Sequence, residues 1–474
     1  MKPRIVTATP TTWSHRGSAV AISASGRPLD IWSGIVGETC RVKLTHQGQN
    51  RSRGYFVEPA GKPHKYRRTD DGPKFHISGS CPLMHMTTEG QHAAKLMMIR
   101  EALATHGFEG HTPHSVAASP DGDWGYRHVV KLVYGRSERG ALRLGAYARG
   151  TNRIVTIEDS EVVTPVLRDC IRRVAQRLID ADIWPYEPDS HRGLLRHVVM
   201  RQSRSTGLVL VTLVATRSDG RLRELAESIQ FELAPVIGVQ LHINDQPGNA
   251  IFGRDEEGEI RTMRLVGNPT IEDKMGDQML GIGGGDFFQV NPGVANLICA
   301  DLLEEFAPDK ERPVLDLYCG VGSFTMPLAA QHGWALGVEV IQGAIHRARN
   351  SAQRNHVAAT FLAGAVEEVL PTALERVAGK APLLVLNPAR KGLHPEVGLR
   401  VLACKPKRIA YVSCNPLALA RDLREICSRG WRVDSVRAYD MLPQTAHVET
   451  MAMLSPIEAP EPSGRAPRRK VVRS

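Results

Sequence analysis

The chain has 474 residues, 42% hydrophobic and 23% charged, enough for roughly two to four domains with real cores. A formal net charge of +10 and a pI near 9.3 favour a polyanionic partner such as nucleic acid. The eight cysteines stand singly without a CxxC pair, which excludes a zinc ribbon or disulfide scaffold; no apolar run is long enough to cross a membrane, and the start lacks a secretory stretch, so a cytoplasmic, reducing location is expected.

In chain order, residues 1–60 read as short alternating strands punctuated by glycines, the pattern of a small β-barrel. Residues 61–80 are polar and rich in Gly and Pro, with Lys62, Lys65, Arg67, Arg68 and Lys74 clustered, and a basic linker is predicted. Residues 81–285 mix helix and strand patterns in a central α/β domain. There, 91–104 has the spacing of an amphipathic helix and 207–216 that of an apolar strand. The stretch 126–153 is strongly basic, which suits a phosphate-facing surface or an ordinary solvated sheet face. From residue 286 to 455 strands and helices alternate strictly, with strands at 314–318, 335–340, 360–362, 383–386 and 408–413. That alternation predicts a doubly wound, mostly parallel sheet. Residues 456–474 are Pro-rich and basic, and a disordered tail is expected.

The segment Asp316-Leu317-Tyr318-Cys319-Gly320-Val321-Gly322-Ser323 follows an apolar strand and opens a helix. Its two glycines let the backbone approach a ligand at the carboxyl edge of the sheet, where such folds bind nucleotides. The third glycine of a dinucleotide fingerprint is missing. On this segment alone a methyltransferase, a dehydrogenase-like domain and a purely structural domain all stay open. Glu339 ends the next strand, placed to accept hydrogen bonds from ribose hydroxyls. The two features fit an adenosine ligand without a pyrophosphate.

Cys414 lies in Tyr411-Val412-Ser413-Cys414-Asn415-Pro416, at a strand end before a helix whose dipole would favour the thiolate. Cys170, Cys299, Cys404 and Cys427 read instead as buried apolar side chains. Asn387 opens the turn Asn387-Pro388-Ala389-Arg390-Lys391-Gly392-Leu393, where its amide can pair with a planar base; a plain turn with a solvent-facing cation is the alternative. Glu449, ending Pro443-Gln444-Thr445-Ala446-His447-Val448-Glu449, is a candidate general base, with a surface carboxylate as the alternative.

Together with Phe287-Phe288-Gln289-Val290-Asn291-Pro292, these pieces occur in one order, and in that order the chain resembles the TRAM-domain uracil-carbon-5 RNA methyltransferases. The resemblance is dense over about 286–453, looser over the TRAM-like 1–60 and sparse between them. It implies a class I (Rossmann-like) S-adenosyl-L-methionine (SAM) methyltransferase domain, preceded by a small TRAM/OB-like β-barrel and a mixed α/β central domain. It further implies that Cys414 adds to carbon 6 of the uracil, that SAM supplies the methyl group to carbon 5, and that Glu449 removes the carbon-5 proton. By the same carry-over Gln289, Tyr318, Ser323, Glu339 and Asn387 line the cofactor and base pocket, and the target base flips out to reach it. The implied partner is structured RNA, with 23S rRNA ahead of tRNA because of the TRAM-like domain, bound by a monomer.

Two positions depart from that family. Many members hold an iron–sulfur cluster on four cysteines, but here Ser80-Cys81-Pro82-Leu83-Met84-His85-Met86 offers one and Ser160 stands at the later position, so neither a cluster nor any other metal is expected. The family's turn usually begins with aspartate where this chain has Asn387, whose amide still offers a donor and an acceptor. The rival readings are a tRNA enzyme, a cytosine-directed enzyme and a catalytically degenerate RNA-binding protein.

Overall fold

The computed structural model describes residues 4–23, 25–69, 79–248 and 250–457. Near the N-terminus six strands form one mixed sheet, in which Pro28–Trp32 runs parallel to Ser52–Pro59 and the other pairings are antiparallel. The strand Cys40–Gln47 begins with strict alternation, burying Cys40 and Val42 and exposing Arg41 and Lys43, as a half-buried strand must. Cys40 and Val42 pack with Leu29 and Ile31 inside the sheet.

The described part of the predicted linker is packed rather than slack. Arg67 pairs with the buried carboxylate of Glu38, donates to the carbonyl of Ser33 at 3.0 Å and lies 3.6 Å over the Phe56 ring. A polar run looks like loose chain until an acidic partner elsewhere in the sequence is known. Residues 70–78, with Lys74, lie outside the described residues, as do residues 458–474 of the expected tail. The start of that tail is ordered: the strand Glu449–Pro456 runs to its end, and the Ile457 amide donates to the carbonyl of Gly430 at 2.7 Å.

The central region is built on a seven-stranded sheet in the order Ile154–Val155, Leu142–Tyr147, Val129–Arg136, Leu195–Gln202, Val209–Ala215, Val236–Ile243 and Met263–Gly267. Helices Pro165–Asp180 and Gly220–Glu232 cover one face, packing Ile171, Val174, Leu222 and Ile229 against Val198, Met200, Val211 and Leu213. The helix Thr88–Ala104 forms where helical spacing predicted one, capped by Thr87, but its buried side is not purely apolar. Gln91 and Lys95 are buried beside Ala94, Ile99 and Leu103.

The third sheet has eight strands in the order Ala359–Ala363, Ala335–Glu339, Val314–Leu317, Leu383–Leu386, Arg408–Ser413, Glu449–Pro456, Trp431–Tyr439 and Val116–Ala117. The first five are parallel, and chain order reverses at Val314–Leu317, which creates the crevice where doubly wound sheets bind ligands. Glu449–Pro456 is inserted antiparallel beside Arg408–Ser413, an arrangement that strand–helix alternation does not reveal. The parallel strands bury both faces: Val314–Leu317 and Leu383–Leu386 are buried throughout. Of the cysteines expected inside, Cys170 and Cys299 are buried, whereas Cys404 and Cys427 are only half-buried on their helices' outer turns. No helix among the described residues is long and apolar enough to cross a membrane.

Candidate active site

An open cleft of about 380 Å³ lies at the carboxyl edge of the third sheet, lined by Met275, Phe287, Phe288, Gln289, Tyr318, Cys319, Gly320, Ser323, Phe324 and Asn387. Its walls are apolar and aromatic with a few polar groups, as in small-molecule sites. Local structure fixes each wall. Gln289 precedes Asn291, which caps the helix Pro292–Glu305 and donates to the Ser119 hydroxyl, while the His128 amide pins the Val290 carbonyl at 2.9 Å. Tyr318 (φ 68°), Gly320 (φ 57°) and Gly322 (φ 84°) all lie in the left-handed region, so the loop turns tightly from the strand Val314–Leu317 into the helix Thr325–His332. Asn387 continues Leu383–Leu386, its own amide N–H bonding the Leu317 carbonyl at 3.3 Å, and its side-chain amide makes no hydrogen bond among the described residues. Gln289, Tyr318, Ser323 and Asn387 therefore share one cleft.

Glu339 stands just behind it. Its carboxylate accepts from the Gly320 amide at 3.2 Å and the Ile341 amide at 3.0 Å, so it braces the glycine loop. Burial pushes its pKa up. Asp316, given no role by the sequence, is fully buried beneath the same loop. One oxygen accepts from the Thr325 hydroxyl at 2.6 Å and the other has no partner, and burial pushes the carboxyl up to about 7. An adenosine carrying a sulfonium fits this set: an aromatic-walled slot and a glycine loop with carboxylates behind and beneath it.

Cys414 and Glu449 are not in the lining of that cleft but two strands along the same edge. The last rung between Arg408–Ser413 and Glu449–Pro456 pairs Ser413 with Thr450, whose hydroxyl donates to the Ser413 carbonyl at 3.0 Å. Asn415 caps the helix Pro416–Cys427 through the Leu417 amide. The helix N-terminus after Cys414 favours the thiolate, as its place in the sequence implied, but other groups act against it. Burial and the facing Glu449 carboxyl push the thiol up, and the Arg390 field only partly offsets them. Glu449 is buried rather than a surface carboxylate, and burial alone lifts it to about 8. The arrangement is a neutral thiol facing a carboxyl able to exchange a proton near neutral pH.

The loop ahead of Glu449 is held by the helix Thr88–Ala104, a support the sequence did not disclose. Lys95, fully buried, pairs with Asp440 and donates to the Leu442 carbonyl, and His92 bonds the second Asp440 oxygen at 3.0 Å. Gln91 binds Gln444 twice, donating to its side-chain oxygen and accepting from its amide, both at 2.8 Å. The Tyr126 hydroxyl donates to the Pro443 carbonyl at 2.7 Å. The one available signal was a lysine and a glutamine on the helix's apolar side. Cys81 is buried in the central core with its thiol pushed up by burial, and Ser160 is buried too. Among the described residues no group of three or more His, Cys, Asp or Glu side chains is arranged to hold a metal ion.

The family model described as tRNA (Uracil-5-)-methyltransferase matches residues 282–457. An uncharacterized RNA methyltransferase of Bacillus cereus is 31% identical over 447 residues, covering 94% of this chain and 95% of its own. Another, of Thermosynechococcus vestitus, is 33% identical over 447 residues, covering 93% and 96%. Among solved structures, the Pyrococcus abyssi tRNA (uracil-54, C5)-methyltransferase in complex with S-adenosyl-L-homocysteine superposes over 95% of this chain and 100% of its own, with a TM-score of 0.73 at 24% identity, and so has the same fold.

Proposed function

The chain belongs to the RNA uracil-carbon-5 methyltransferase family, and from that membership we propose that it methylates carbon 5 of a uridine in structured RNA through a covalent bond between Cys414 and the base. The observation that carries this reading is the register that sets Cys414 opposite Glu449 beside the cleft.

Gln289, Tyr318, Ser323 and the loop braced by Glu339 would hold SAM in the cleft, where it would supply an electrophilic methyl group and leave as S-adenosyl-L-homocysteine. Asn387 offers its free amide to the edge of the uracil, donating to a carbonyl and accepting from the ring N–H. Cys414 loses its proton to solvent as the base enters, with Arg390 as the nearby cation favouring the anion, and its sulfur bonds to carbon 6. The ring's electron pair shifts to carbon 5, which becomes nucleophilic and takes the methyl group. Glu449 then accepts the carbon-5 proton, the double bond re-forms, and the carbon–sulfur bond breaks to free the cysteine. A buried carboxyl with a pKa near 8 is a stronger proton acceptor than an ordinary glutamate, which suits the last step.

Large-subunit ribosomal RNA is the first substrate to test, on the strength of the N-terminal barrel-like sheet. Transfer RNA is the second, because the Pyrococcus enzyme that matches this fold along its whole length is a tRNA methyltransferase, so the added sheet does not by itself separate the two. The test is incubation with undermethylated 23S rRNA and with tRNA in the presence of labelled SAM, followed by nucleoside analysis. Labelled 5-methyluridine is the expected product. Binding of both RNAs without label transfer would instead mark a non-catalytic RNA-binding protein, and labelled 5-methylcytidine a cytosine enzyme.

A further inference from the structure

The N-terminal sheet is docked against the catalytic loops themselves. Trp13, Ala19 and Ile35 share a core with Leu83, Met86, Ala94 and Ala446. At Gly17 (φ 78°) a Cβ would stand 3.0 Å from the Ala446 Cβ and 3.1 Å from Pro82 Cγ, so only glycine lets this turn seat so closely. The seating brings the turn that carries His15 and Arg16, just before Gly17, against the loop that carries His447, just after Ala446, and His15 and Arg390 both act on the His447 ring. From the other side the Asn415 side chain donates to the Arg390 carbonyl at 2.9 Å, tying Arg390 to the residue after Cys414.

His15, Arg16, Arg390 and His447 are exposed, and among the described residues none of their side chains makes a hydrogen bond or an ion pair; the bonds they do make run through backbone atoms. Several other arginines of the catalytic domain are matched: Arg347 to Asp286, Arg408 and Arg437 to Glu305, Arg421 to Asp422. Partial burial and then the fields of Arg16, Arg390 and Arg51 hold His15 down. Burial and then Arg390, Lys95, Arg127 and His15 hold His447 down to about 4, so both rings are neutral N–H donors. The nearest barrel carboxylate, Asp30, is already engaged by Arg51 through both oxygens.

We propose that Arg16 and Arg390, flanked by His15 and His447, form a two-domain clamp for a backbone phosphate of the RNA strand next to the nucleotide entering the site. The clamp rests on the uridine-methylation reading for the identity of that nucleotide. Two guanidinium forks and neutral imidazole donors, with no free carboxylate among them, match phosphate oxygens. A phosphate contact carries no sequence information but fixes register, which is what a base leaving its stack to meet Cys414 needs.

The test is the salt dependence of binding to a labelled oligouridylate, measured by fluorescence anisotropy for wild type, Arg16→Gln, Arg390→Gln and the double variant, with SAM binding by calorimetry as the check on folding. One lost contact to a single strand lowers the slope of log K against log salt by about 0.7. Each single variant is expected to weaken binding several-fold with a slope lower by about that amount. The double variant is expected to lose less than the product of the two, because both cations hold one phosphate. Arg16→Lys, which keeps the charge, is expected to keep the slope. Unchanged slopes in all variants, or losses that simply multiply, would overturn the clamp. Methyl transfer is not needed for this readout. A chain that clamps RNA but methylates nothing sinks the reaction alone, and one that makes 5-methyluridine while its variants bind like wild type sinks the clamp alone.

Discussion

Cys414 and Glu449 face each other across an antiparallel ladder: Cys414 lies one residue beyond Ser413 and Glu449 one residue before Thr450, the partner of Ser413 in the last rung. A thiol and a carboxyl brought together at one end of a ladder are the two groups that the proposed mechanism assigns to carbon 6 and to the carbon-5 proton.

Glu449 must be ionised to accept a proton, and burial holds it at about 8. The kcat/KM for methyl transfer is therefore expected to rise with pH until about pH 8, and a flat profile below that value would show that another group is the base. Stability follows the opposite sign. The native state keeps a proton that the unfolded chain, with Glu449 near its ordinary 4.5, releases, so this group's contribution is full below about 4.5 and is lost as pH rises through about 8. Glu449→Gln is expected to match wild type in Tm at the acid end and to exceed it increasingly up to about pH 8, while losing activity. Thermal melts across that range check it.

Lys95→Met removes one partner of a buried ion pair and leaves Asp440 with only His92. The expected cost is about 3–5 kcal/mol in denaturant unfolding, partly recovered when Asp440→Asn is added. A loss within about 1 kcal/mol would mean that the loop before Glu449 does not depend on this pair.

Asn387→Ala deletes the free amide in the cleft. A lost hydrogen bond to the base in a desolvated site predicts about 1–3 kcal/mol, roughly fivefold to 150-fold in kcat/KM. Asn387→Asp restores the group usual in the family and is expected to keep SAM affinity within about tenfold, as calorimetry would read. Equal activity of Asn387→Ala and wild type would remove this residue from the base pocket.

Gly322→Ala places a side chain at φ 84° with its Cβ 3.3 Å from the Phe361 ring. Left-handed strain of about 1–3 kcal/mol predicts weaker SAM binding and a lower Tm, most visible without ligand. Unaltered SAM affinity would mean that this turn does not shape the cofactor cleft.

Local pattern carried much of this in the sequence. Strand–helix alternation located the parallel strands, and the Asn415-Pro416 pair marked a helix start that proved capped. What stayed hidden depends on contacts between residues far apart in the chain. The antiparallel insertion of Glu449–Pro456 buries Glu449 and turns an apparently ordinary carboxylate into one near 8. Burial also raises the Cys414 thiol, which its place before a helix did not disclose. Lys95 and Asp440 are separated by 345 positions, and Arg67 looked like linker charge because Glu38 lies on a different element. Periodicity reports which face of an element is apolar; it is silent about which buried charge meets which.

The central claim is the bond between Cys414 and uracil, and RNA transcribed with 5-fluorouridine tests it most directly. Fluorine replaces the carbon-5 proton that Glu449 would accept, so once the methyl group has been added the carbon–sulfur bond cannot be released. With SAM present, a denaturant-resistant protein–RNA adduct is expected, mapped by peptide mass spectrometry to Cys414 and absent from Cys414→Ala. An undiminished adduct in Cys414→Ala, or formation of 5-methyluridine by that variant on ordinary RNA, would contradict the mechanism.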